Sequence, residues 1–162
     1  MRDLLKGVLV CTLVLVSHFA EASTTWITTW TASPEWADPD PNQPLLNIDD
    51  QTVRERVRLS IGGTRLRVQF SNEYGTAPLR IGASTVALPN DPEGVKPASI
   101  HTLTFKGHRA VAIPVGATVL SDAVIFPVSA GAELALTLYF PDRIGAATFH
   151  ELALMWRSST RG

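Results

Sequence analysis

An all-β fold, an antiparallel β-sandwich of jelly-roll-like form, is the fold class this sequence predicts, and three observations lead to it. Apolar and polar residues alternate with a period of two through most of the chain after residue 50, as they do in strands with one buried face. Clusters of Gly, Pro, Asn and Asp interrupt the alternation at short intervals. No window of useful length carries a helical period with caps. Many short strands with such turns favour a sandwich or jelly roll.

The N-terminus stands apart from this pattern. Residues 1 to 22, "MRDLLKGVLVCTLVLVSHFAEA", read as a secretory signal peptide: Arg2 and Lys6 supply the cationic start, an apolar run follows, and Ala20-Glu21-Ala22 is a small-x-small cleavage site. The apolar run is short of the roughly 18 residues a spanning helix needs, so no transmembrane segment is expected after cleavage. Cleavage removes Cys11, the only cysteine, which leaves a secreted or periplasmic domain that relies on its core without disulfides. Of 162 residues, 140 remain from Ser23, enough for one domain. Taking Arg2 and Lys6 from the 14 basic residues, and Asp3 and Glu21 from the 15 acidic ones, leaves 12 and 13. A near-neutral balance argues against nucleic acid as a partner.

Residues 23 to 50 predict an N-terminal strand, "TWITTWTA", followed by a loop rich in Pro, Asp and Asn from Pro34 to Asp50. The main part of the sandwich then occupies 51 to 162. In "TVRERVRLSI" Val53, Val57, Leu59 and Ile61 share one parity, interrupted by Glu55. Leu66, Val68 and Phe70 do so in "TRLRVQF", and Gly62-Gly63 between the two runs reads as a hairpin turn. Further strands are expected near 79 to 88, 100 to 105, 109 to 113, 123 to 128, 133 to 140 and 147 to 155, with Leu134, Leu136, Leu138 and Phe140 as the cleanest inward stripe.

Few residues suggest chemistry. Nucleophilic catalysis needs an activated serine, a histidine base and oxyanion donors, and the chain has neither Gly-x-Ser-x-Gly nor Gly-Asp-Ser. His101 reads as a strand residue and His108 as a turn residue, while His150 in "ATFHELAL" is the first histidine to test. Asp38, Asp40 and Asn42 have calcium-loop spacing, but Gln43 replaces the glycine such a loop needs and prolines interleave, so no metal site is expected. "SNEYG", residues 71 to 75, reads as an Asx-type turn. Trp26 and Trp30 are the candidate substrate-binding residues: on a strand they share one face about 13 Å apart, a spacing suited to sugar rings, although burial is the commoner fate of tryptophan. No catalytic residue and no cofactor is assigned.

With these residues in view, "TWTASPEW", "QTVRERVRLSIGGTRLRVQFSNEYGTAPLRIGASTVAL", "LTFKGHRAVAIPVGATVLSDAVIFPV" and "ELALTLYFPD" through "ATFHELAL" resemble the N-terminal β-rich region of secreted bacterial GDSL-type esterases and lipases of the SGNH hydrolase superfamily. The resemblance covers nearly all of residues 26 to 154. It implies an α/β catalytic domain as partner, carrying a Gly-Asp-Ser-Leu-like nucleophile block, glycine and asparagine oxyanion donors and a late Asp-x-x-His block. None of those blocks occurs in these 162 residues, and the tail "MWRSSTRG" departs from the family's pattern. Asn72 is not the family's oxyanion asparagine, which belongs to the catalytic domain. The resemblance therefore implies a non-catalytic accessory domain, truncated before the catalytic half and inactive alone, whose parent acts on ester or polysaccharide substrates. The alternatives are a stand-alone carbohydrate-binding module using Trp26 and Trp30, and a self-sufficient hydrolase with a site around His150.

Overall fold

The computed structural model describes residues 25–36, 48–90, 94–144, 148–149 and 157–161. The leader and most of the Pro-rich loop, with Asp38, Asp40 and Asn42, lie outside the described residues, as does His150. The fold is all-β and antiparallel. Among the described residues the helical content is one 3-10 turn, Pro97–Ser99.

The first layer is a five-stranded sheet. Its centre is β13 (Glu133–Phe140), which pairs along its whole length with β2 (Gln51–Arg58) and over five residues with β6 (Ala83–Ala87). The edge strands are β9 (His101–Thr102), beside β6, and β15 (Arg157–Arg161), beside β2. Leu134, Leu136, Leu138 and Phe140 all point into the core from β13, as their alternation predicts. Each such side chain contributes about 1.5–3 kcal/mol on burial, so the central strand is the largest single source of apolar stabilisation.

The second layer is assembled from shorter ladders. The run 63–71 carries β3 (Gly63–Leu66) and β4 (Gln69–Ser71), which lie against β12 (Val124–Val128) and β11 (Thr118–Leu120) respectively. Between them Ser121 mends the break: its N–H donates to the Val68 carbonyl at 2.8 Å and its Oγ accepts the Val68 N–H at 3.0 Å. β5 (Leu79–Ile81) pairs with β10 (Val111–Ile113). Leu66, Val68, Phe70 and Phe126 of this layer meet Val57, Val86, Leu134 and Leu136 of the first. Ile81 and Ile113 meet Val53, Leu138 and Phe140 in a second, adjoining cluster. Two small ribbons complete the set, β1 (Glu35–Trp36) with β14 (Thr148–Phe149), and β7 (Pro89–Asn90) with β8 (Gly94–Val95).

The expected hairpin at Gly62-Gly63 does not form. β2 and β3 belong to different layers, and the chain crosses between them at this point. The last bonds to the first sheet are Leu59 N–H to the Ala132 carbonyl and Gly131 N–H to the Leu59 carbonyl, after which Ile61 turns out to solvent rather than inward. Gly62 is needed for space: a Cβ there would sit 2.7 Å from the Val128 carbonyl oxygen and 2.9 Å from the Ala130 nitrogen. The run 79–88 likewise divides into β5 and β6 in separate layers. β11, the β7–β8 ribbon and β15 add strands beyond those expected, and the β7–β8 ribbon lies in "PNDPEGVKP", whose Pro, Asn, Asp and Gly read as turn residues.

The two-residue hairpin chemistry appears instead at Phe105–His108. Lys106 has φ +53° and Gly107 φ +83°, and Phe105 and His108 exchange both backbone hydrogen bonds at 2.8 and 3.1 Å. Positive φ at both central residues is the type I′ geometry that suits the twist of paired strands.

Candidate functional site

The N-terminal segment does not join a sheet over "TWITTWTA"; its strand is the short β1 further on. Residues 25–34 are held instead by Thr29. Its Oγ1 donates to the Ile61 carbonyl at 2.8 Å and accepts the Ile61 N–H at 2.9 Å. Its carbonyl accepts the Ser60 N–H at 3.0 Å and the Ser60 hydroxyl at 2.7 Å. A threonine side chain thus supplies bonds that a strand ladder would otherwise supply, because Ser60 and Ile61 have just left the first sheet with their polar groups unspent.

Trp26 and Trp30, the two sequence candidates, are 40% and 39% exposed, so neither is a core residue. The structure places them on the same clamped segment but off a regular strand, and among the described residues no ring contact joins them. Trp26 has a partner of another kind: the Arg67 guanidinium carbon lies 4.4 Å from its ring centroid. Such a cation–π contact is worth about 0.5–1 kcal/mol at an exposed site. Ile27 and Ile61, 64% and 45% exposed, flank the same clamp. The exposed residues on and beside the Thr29 segment are thus apolar at Ile27, Trp30 and Ile61 and, over Trp26, cationic at Arg67, which follows the exposed Arg65 two residues along the chain.

Beyond Arg67 lies Asp122, whose carboxylate accepts from Thr104 Oγ1 at 2.6 Å, from the Gly107 N–H at 2.8 Å and from the Lys106 N–H at 3.0 Å. These bonds, the Thr104 hydroxyl first and then the turn amides, hold its carboxyl below the ordinary range, with a smaller contribution from the Arg67 charge. The turn amides form an anion-binding concavity already filled by the protein's own carboxylate.

The other titratable candidates have structural partners. His101 Nδ1 lies 3.1 Å from the Ser99 carbonyl, and its ring meets Phe126 edge-on at 5.0 Å. His108 closes the type I′ turn through its backbone. Asn72 is 1% exposed, and its amide donates towards the carbonyls of Ala77, Ile113 and Pro114 at 2.9, 2.9 and 3.2 Å. The turn read at "SNEYG" forms, but not as an Asx turn: the Gly75 N–H bonds to the Asn72 backbone carbonyl at 3.2 Å, Ser71 Oγ accepts the Glu73 N–H at 3.2 Å, and the Asn72 side chain works over a longer range. Tyr139 donates to Asp50 Oδ1 at 2.7 Å, which raises its phenol above the usual value. Among the described residues no group of three or more His, Cys, Asp or Glu side chains is placed to hold a metal ion.

Sequence reasoning missed Arg67 and Asp122 as neighbours of the Trp26 surface. Their positions in polar registers were visible; the partners, 41 residues before Arg67 in one case and 15 to 18 before Asp122 in the other, were not. Compared with protein-family models and with curated proteins, the sequence has no match.

Proposed function

We propose that the chain is a non-catalytic β-sandwich domain of a secreted GDSL-type ester hydrolase, packed beside an α/β catalytic domain whose substrate entrance it flanks. The resemblance over residues 26 to 154 supports this reading, and one structural observation carries it. Scattered exposed apolar side chains are ordinary on any protein. Here three of the nine large exposed ones among the described residues, Ile27, Trp30 and Ile61, gather where Thr29 ties residues 25–34 to Ser60 and Ile61, with Trp26 set apart under Arg67. A ledge fixed by four hydrogen bonds meets a partner at little further cost in ordering. The catalytic domain brings the nucleophile, base and oxyanion donors; this domain brings an apolar docking ledge.

The test is co-expression with a GDSL-type catalytic domain from the same genome, followed by co-purification. Ile27→Asp and Ile61→Asp should each abolish association while leaving the circular dichroism of the sandwich unchanged. Failure of the unaltered chain to associate with any such domain would overturn the reading.

A further inference from the structure

The cationic side of the Thr29 ledge has a geometry that its packing role leaves unused. Arg67 lies over the Trp26 ring, its guanidinium carbon 4.4 Å from the ring centroid. A cation–π contact draws on the charge of the guanidinium and supplies no oxygen acceptor, so it leaves the N–H donors to be paired elsewhere. Among the described residues neither Arg67 nor Arg65 is in an ion pair. The carboxylate of Asp122, which senses the Arg67 charge, is committed to Thr104, Lys106 and Gly107. Arg65, at the end of β3, and Arg67, in the break after it, are both exposed, with Leu66 turned inward between them.

We infer that Trp26, Arg65 and Arg67 form a subsite for a uronate residue of an anionic polysaccharide, its carboxylate on the guanidinium edges and its ring against the exposed flank of the indole. Planar, bidentate recognition of a carboxylate is what arginine does best. Stacking against tryptophan suits the C–H face of a pyranose, where burial of a flat apolar surface is non-directional and depends on area. A neutral sugar would leave two exposed cations without a partner, whereas a bare anion would leave the indole flank unused. A polymer of uronates satisfies both at successive residues. The inference concerns the chain's own surface and holds whether or not a catalytic domain docks on the apolar side, so its failure and the failure of the proposed function are separate results.

Affinity electrophoresis of the purified chain through gels containing sodium polygalacturonate tests it. Mobility should fall with polymer concentration and recover in high salt, as contacts between exposed charges do. Fully methyl-esterified polygalacturonate, xylan and chitin should retard the chain at least about tenfold less, since loss of one charge-assisted pair is worth a factor of that size or more. Arg67→Ala and Arg65→Ala should each weaken retardation about tenfold, and Arg67→Lys, which keeps the charge but not the planar fork, should recover only part of it. Both arginines are exposed, so these variants keep the fold; Trp26→Phe, read by quenching of tryptophan fluorescence with oligogalacturonate, replaces Trp26→Ala should the latter not fold. Equal retardation by the esterified polymer, equal binding of polyphosphate or of phosphatidylglycerol vesicles, unchanged binding by Arg67→Ala, or no retardation at all would each overturn the inference.

Discussion

Ser84 lies on the inward face of β6, 1% exposed, and among the described residues its Oγ has no hydrogen-bond partner. A buried hydroxyl left in that state costs about 1–3 kcal/mol. Ser84→Ala removes one oxygen and leaves a small void, so it should raise stability by about 1 kcal/mol, measured as a higher urea midpoint at unchanged slope. A lowered midpoint would mean that the hydroxyl has a partner in solution. Asp122 behaves in the opposite way. Its carboxyl is held below the ordinary range by Thr104 and the turn amides, so its bonds add stability above pH about 4 and lose it as pH falls through the lowered folded value. Asp122→Asn should therefore destabilise the chain at pH 7, and the gap between the two proteins should close in acid, read from urea midpoints at pH 7 and pH 2.5. A gap that persists unchanged in acid would exclude the carboxylate as its source. Neither role was legible in the sequence. "SNEYG" announces turn-forming residues, but the carbonyls that Asn72 serves at Ile113 and Pro114 and the amides that Asp122 serves at Lys106 and Gly107 come from the folded chain.

At the scale of elements, alternation specified which residues face inward far better than which strands pair. β13 was readable to the residue because a single parity of Leu134, Leu136, Leu138 and Phe140 admits only one buried face. Gly62-Gly63 misled because a glycine pair between two alternating runs has two physical uses: positive φ in a hairpin, or absence of a Cβ where backbones approach. The second applies, and a pair of substitutions separates them. Gly62→Ala forces a methyl against the backbone of Val128 and Ala130, at an overpacking cost of about 1–3 kcal/mol. Gly63→Ala meets nothing nearer than the Arg65 carbonyl oxygen at 3.7 Å, an ordinary contact, and among the described glycines positive φ is confined to Gly107, Gly116 and Gly131. Thermal unfolding should show Gly62→Ala destabilised and Gly63→Ala within about 0.5 kcal/mol of the parent. Equal loss in both variants would restore the hairpin.

For the whole molecule, the proposed non-catalytic role turns on the groups that ester hydrolysis needs. An acyl transfer site needs a nucleophile, a base that reaches it, an orienting group and oxyanion donors, and removing one member of such a set already costs orders of magnitude. Three serines and a histidine among the described residues are spent on the fold. Ser121 mends the second layer, Ser99 accepts the Leu88 N–H and donates to the Lys96 carbonyl, Ser60 donates to Thr29, and His101 faces Phe126. The proposed function gives the described exposed surface a contact role, apolar at Ile27 and Ile61 and cationic at Arg65 and Arg67. The purified chain should accordingly turn over p-nitrophenyl acetate and butyrate no faster than its own heat-denatured control. A small residual rate proportional to protein and insensitive to heating would be ordinary surface catalysis and agrees with this expectation. Saturable turnover that His150→Ala abolishes while circular dichroism stays unchanged would contradict it, and would move the working site to the C-terminal segment rather than the Thr29 ledge.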